Sequence, residues 1–126
     1  MSKATGNCFE NCAKYMLANP NADLTLVHCI VTGTGPSVKG VRYSHAFIIM
    51  ADGLLAMDLT NSPLEPTVVP LEMFRKIGNV ENEIHYCFGE ALSEMQRTGH
   101  YGAWDDSIIT EADIIPKRGK KGKRWS

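Results

Sequence analysis

The chain has 126 residues, 44% of them hydrophobic and 21% charged, so it is long enough to bury a core without disulfide or metal staples. Its formal net charge of −1 gives no overall attraction to nucleic acid or to an anionic membrane. The longest apolar stretch, AFIIMA, is too short to cross a bilayer, and the opening MSKATGNCFENC lacks the apolar segment of a secretion signal. The expected setting is therefore the reducing cytoplasm, with Cys8, Cys12, Cys29 and Cys87 as thiols.

From Asn7 to about Ala18, Phe9, Cys12, Ala13, Met16 and Leu17 recur at helical spacing. Thr5 and Asn7 are candidate N-caps, and Asn19-Pro20 ends the segment. LTLVHCIV, 24–31, is rich in β-formers and predicts a strand, followed by the Gly/Pro loop TGTGPSVKG, 32–40. Strands are expected over 41–50 and 54–60, with a loop through NSPLEP. PLEMFRKI, 70–77, predicts a short helix opening at a proline. EIHYCF, 83–88, suits a short strand, and EALSEMQR, 90–97, suits a helix closed by Gly99. The remainder reads as irregular.

There is no internal repeat. The expected organisation is one α+β domain over 1–116, in which an N-terminal helix carrying Cys8 packs on a small, mainly antiparallel sheet. The segment 117–126 reads as a basic, disordered tail. Its KRGKKGKR has six basic residues in eight, a solvated end with at most weak contact to nucleic acid.

The stretch YSHAFIIMADGLLAMDLT, 43–60, carries the main geometric argument. Asp-Gly between two apolar runs signals a two-residue type I′ turn, which needs positive φ at both positions. With Asp52 and Gly53 as the turn, Ala51 faces Leu54, Ile49 faces Ala56, Phe47 faces Asp58 and His45 faces Thr60. Opposed residues and alternate residues share a face, so His45 and Asp58 lie on one face, diagonally across neighbouring strands. Asn61 falls on the other face. A three-residue loop with a bulge would reverse this parity. Both faces of the hairpin are apolar, which predicts a mostly buried position and makes an unpaired aspartate there costly.

Cys8 follows Gly6-Asn7 where the first helix should begin. Unpaired N–H groups and the positive end of the helix dipole both stabilise a thiolate, the reactive form of cysteine. A nearby histidine completes the activation, and a carboxylate holds its ring. Cys12, one turn on, belongs to the apolar stripe, and Cys29 and Cys87 read as packing residues in strands.

The order and local words resemble the papain-like cysteine hydrolase superfamily, nearest to its transglutaminase-like branch. GNCFENCA resembles the family's G-x-C-x-x-x-A helix start. SHAFIIMADGLLAMDLT resembles its H-A-[WF]-[VI] strand, D-G turn and strand ending in D-x-T. The likeness covers about residues 5–61. It implies Cys8 as nucleophile, His45 as general base and acid, and Asp58 as the residue that orients the ring. No glutamine precedes the cysteine, where papain-like peptidases place one for the oxyanion hole. The Cys8 backbone N–H supplies one donor, and Asn7 and Tyr43 are candidates for the second.

The expected function is a cysteine-dependent hydrolase or acyltransferase acting on an amide, peptide or isopeptide bond through a thioacyl-enzyme, with no cofactor and no metal. The alternative is an inactive domain of the same fold, acting as a protein-binding module or inhibitor. A zinc site finds little support in the spacing, because there is no C-x-x-C pair and His28 and Cys29 point to opposite faces of a strand. His28 and His85 read as core or interface residues. His100 reads as part of a surface loop anchored by Tyr101 and Trp104. TGTGPSVKG has no phosphate-binding fingerprint and reads as a connection bordering a cleft.

Overall fold

A computed structural model of the protein describes residues 8–36, 39–50, 52–60 and 66–114. Asn7, Asn61 and the basic tail at 117–126 lie outside the described residues. In chain order the long elements are α1 (Cys8–Ala18), β1 (Thr25–Thr32), β2 (Arg42–Met50), β3 (Leu55–Asp58), β4 (Thr67–Pro70), α2 (Leu71–Gly78), β5 (Glu81–Tyr86) and α3 (Phe88–Thr98). A short 3₁₀ turn (Asp106–Ile108) and the one-turn helix α4 (Glu111–Ile114) follow. Among the described residues, no helix is long and apolar enough to cross a membrane.

The strands form one sheet in the order β4-β3-β2-β1-β5, and every neighbouring pair is antiparallel. The expected α+β architecture, with a small antiparallel sheet, is therefore what is found. The central strands β1 and β2 are buried along almost their whole length, as unbroken apolar runs require. Leu26, Ile30, Ala46, Ile48 and Met57 face α1 and α3. Val27, Cys29, Val31, Phe47, Ile49 and Ala56 face the opposite side. There Phe74 of α2 packs on Phe47, with ring centroids 4.4 Å apart. The α2 helix carries the chain from edge strand β4 across this second face to the opposite edge strand, β5.

Several expectations are corrected. Residues 67–70 form β4, an edge strand that the sequence reading passed over between the proline-rich loop and α2. The β-branched Thr67-Val68-Val69 pairs with β3, and Pro70 ends the strand and serves as the N-cap of α2. The α3 helix starts at Phe88, two residues earlier than expected, because Glu90 accepts a hydrogen bond from the Cys87 N–H at 2.9 Å and closes a cap. Cys87 is consequently an exposed cap residue, not a packed strand residue. His85 is exposed too and pairs with Glu83, 2.8 Å away. Leu17 stands partly exposed beside the α1 stripe. Gly99 closes α3 in the left-handed conformation, φ 78°, as expected.

The segment after α3, expected to be irregular, supplies both the last core residues and an edge cap. Trp104, Tyr86 and Phe9 box in His28, and Ile108 is fully buried. Thr110 and Asp113 bind β2 beyond the end of β3. The Asp113 carboxylate accepts from the Ser44 N–H at 3.1 and 3.2 Å, and the Thr110 hydroxyl donates to the Arg42 carbonyl at 2.8 Å. Asp113 also accepts from the Thr110 N–H at 2.7 Å. Threonine and aspartate three apart have the spacing of a capping box, the local signal in the sequence for this element.

Candidate active site

The hairpin follows the register read from the Asp-Gly turn. Ile49 pairs with Ala56 and Ile48 with Met57. Asp52 and Gly53 have φ values of 60° and 87°, positive at both positions. Extending this parity sets Asp58 diagonally from His45 on the α2 side of the sheet. Their side chains meet, with His45 Nε2 3.6 Å from Asp58 Oδ2. That separation is an ion pair, slightly long for a hydrogen bond.

The other carboxylate oxygen is anchored locally. Asp58 Oδ1 accepts from the Thr60 N–H at 2.9 Å and from the Thr60 hydroxyl. This aspartate turn gives the D-x-T word its physical sense, since the threonine fixes the carboxylate while leaving Oδ2 for the ring.

Cys8 arrives from α1. Phe9, Cys12, Ala13 and Met16 are buried and hold the helix on the sheet. The β3 strand stops at Asp58 while β2 continues to Arg42, so among the described residues no strand lies beside His45 on the β3 side of β2. The first turn of α1 lies against that gap. Asn11, three residues beyond Cys8, donates Nδ2–H to the Leu59 carbonyl at 2.7 Å and ties the helix to the end of β3. The Cys8 sulfur is a hydrogen-bonding neighbour of the His45 imidazole. With Nε2 turned to Asp58, Nδ1 is the nitrogen left for sulfur. Cys8 is fully buried and His45 nearly so.

The electrostatics follow from this order. Burial opposes a charged His45 ring, but the Cys8 sulfur and the Asp58 carboxylate outweigh it and hold its pKa up at about 10. Burial also opposes an ionised Asp58, and His45 with the two Thr60 donors overrides it, holding the carboxyl at about 2. Ring and carboxylate are therefore both charged across the neutral range. Tyr43 stands edge-on to His45, with ring centroids 6.3 Å apart. Its hydroxyl pKa is pushed up by burial first, then by the Cys8 sulfur and the Asp58 carboxylate, which marks it as a neighbour of the site.

A cleft of about 270 Å³ opens beside His45 and Asp58. Its floor is the sheet, its roof is α2 through Phe74 and Ile77, and Thr32, Gly33 and Thr34 form one rim. The loop after β1 does border a cleft, as its composition suggested. Cys8 is not part of this lining.

The remaining candidates disperse. Cys12 and Cys29 are core residues, and burial raises the pKa of both thiols. His28 lies in the aromatic box on the α1 face, away from the site. His100 is exposed, and its carbonyl accepts from Trp104 Nε1–H at 3.0 Å, an anchored surface loop. Among the described residues, no group of three or more His, Cys, Asp and Glu side chains is arranged to hold a metal ion. Asn11 and Thr60, the residues that hold Cys8 and Asp58 in place, were not singled out from the sequence. The D-x-T word carried a signal for Thr60, whereas nothing local marks Asn11.

Comparison with protein-family models, with curated proteins and with solved structures gave no match.

Proposed function

We propose that the protein is a cysteine-dependent hydrolase or acyltransferase with a papain-like, transglutaminase-like core, acting on amide, peptide or isopeptide bonds. The observation that carries this reading is the placement of His45 between the Cys8 sulfur at a helix N-terminus and the Asp58 carboxylate at 3.6 Å. Nucleophile, base and orienting group are in mutual reach.

In this reading Cys8 attacks the substrate carbonyl as a thiolate, with its proton on His45. The C–S bond forms, the carbonyl oxygen takes the developing charge, and His45 passes the proton to the leaving nitrogen as the C–N bond breaks. Water or an amine then gives its proton to the same ring, attacks the thioester carbon and releases Cys8. Asp58 keeps Nε2 engaged, so Nδ1 stays aimed at sulfur. The first N–H groups of α1 have no partner within the helix and suit the oxyanion, with Tyr43 the second donor candidate.

The test is the pH profile of iodoacetamide alkylation at residue 8, followed by peptide mass spectrometry. A small-molecule thiol slows roughly 75-fold between pH 8 and pH 6, as a pKa of about 8.5 requires. Alkylation of Cys8 should fall less steeply than that of the small thiol over that range, and His45→Ala should restore the steep profile. The profile is read as a ratio, so the burial of Cys8 affects it little. Identical slopes for Cys8 and the small thiol would sink the enzyme reading.

The complete burial of Cys8 favours a second reading, a binding module in which the three residues are no longer used. In that case the steep profile appears in the wild-type protein, and a Cys8→Ala protein keeps its binding partner.

A further inference from the structure

We infer that the cleft between α2 and the sheet is the subsite for the leaving group and acyl acceptor, and that it selects an amine bearing an uncharged, apolar side chain. The inference rests on the proposed roles of Cys8, His45 and Asp58.

Position gives the first argument. The cleft is lined by His45 and Asp58 but not by Cys8. During acyl transfer the acyl carbon is bonded to sulfur, while the departing or entering nitrogen exchanges its proton with the imidazole. The cleft reaches His45, the group that exchanges a proton with the amine nitrogen, and so offers the space in which the amine half of the reaction stands.

Wall chemistry gives the second. Val31, Val69, Phe74 and Ile77 supply apolar surface, and Thr32, Thr34 and Thr67 supply hydroxyls. Among the described residues Asp58 is the one charged carboxylate in the lining, and Thr60 and His45 already engage it. Among those described residues a cationic side chain would find no unpaired anion, and an anionic one would meet Asp58. The volume agrees. About 270 Å³ is just below the range of roughly 300–1,000 Å³ typical of drug-sized ligands, which suits one residue-sized group.

The transfer step balances without an oxidant or reductant. The amine nitrogen attacks the Cys8 thioester, the C–N bond forms and the C–S bond breaks. The amine's proton moves to His45, and the sulfur departs as the thiolate, which restores the resting pair.

The test offers equimolar amino-acid amides to protein acylated by p-nitrophenyl acetate and reads the N-acetyl products by mass spectrometry. Phenylalaninamide or leucinamide should capture the acetyl group at least 10-fold better than glycinamide, and lysinamide no better than glycinamide. Ile77→Asp, at the exposed rim, should abolish the apolar preference and raise lysinamide capture. A second arm reads methyl shifts of Val31 and Val69 by NMR as phenylalaninamide is added to Cys8→Ala protein, where no chemistry intervenes. If the p-nitrophenolate burst occurs at Cys8 but the amides are captured equally and shift no methyl signal, the cleft assignment is wrong while the hydrolase reading stands. If no burst occurs, both fall.

Discussion

His28 gives the sharpest test of how the core is built. The ring is fully buried between Phe9, Tyr86 and Trp104, with centroids 4.7, 5.0 and 4.7 Å away. Neither ring nitrogen has a hydrogen-bond partner among the described residues. Burial alone pushes its pKa down to about 3, from an unfolded value of 6.5. The folded state therefore binds fewer protons here than the unfolded state, so stability is intact above pH 6.5 and drains as pH falls towards 3. By pH 4.5 the loss amounts to about 3 kcal/mol, a sizeable share of the 5–15 kcal/mol typical of a small domain. His28→Phe removes the titration and keeps an aromatic ring in the box. Urea unfolding of both proteins at pH 7.5, 6.0 and 4.5 isolates the term, since Asp58, His45 and every other group are shared. The stability difference between variant and wild type should shift by about 3 kcal/mol in favour of the variant between pH 7.5 and 4.5. Absolute stability at pH 7.5 is secondary, because a larger ring strains a tight box. Parallel curves within about 0.5 kcal/mol would mean that the ring takes up a proton in the folded state, and that the account of an unpartnered core histidine is wrong.

Further predictions follow from neighbouring contacts. Gly102, at φ 127°, has room for no side chain: a Cβ would lie 2.7 Å from His28 Cε1 and 2.8 Å from Phe9 Cδ1. Gly102→Ala should cost about 2–3 kcal/mol, read as a melting temperature lower by several degrees. Asp113→Ala leaves the Ser44 and Thr110 N–H groups without their acceptor, which should cost about 1–3 kcal/mol and speed amide exchange at Ser44 in particular. Because the folded pKa of His45 is raised to about 10, its ion pairs stabilise the fold fully below pH 6.5 and fade as pH rises through 10. Asp58→Asn removes one of those partners, so NMR of the imidazole should show the ring losing its proton at lower pH than in the wild type. An unchanged titration would remove Asp58 from the site.

The hairpin and the start of α1 were legible in the sequence because their signals are local. Asp52-Gly53 sets the turn, the two-residue period of a strand carries His45 and Asp58 to one face, and the Phe9, Cys12, Ala13 and Met16 spacing fixes which side of α1 is buried. The β4 strand was missed because three residues between Pro66 and Pro70 carry little periodicity, and their pairing partner is β3. Cys87 and His85 were misread because an apolar-looking run continues past the point where the Glu90 cap turns strand into helix.

The amino-acid order alone thus determined the parity of the His45–Asp58 pair and the helical position of Cys8. Only the tertiary structure decided that these two halves meet. That depends on β3 ending where β2 continues, on Asn11 reaching Leu59 across 48 residues of chain, and on α2 roofing the cleft from the far side of the sheet. Contacts of that kind depend on packing between distant segments, and no local periodicity records them.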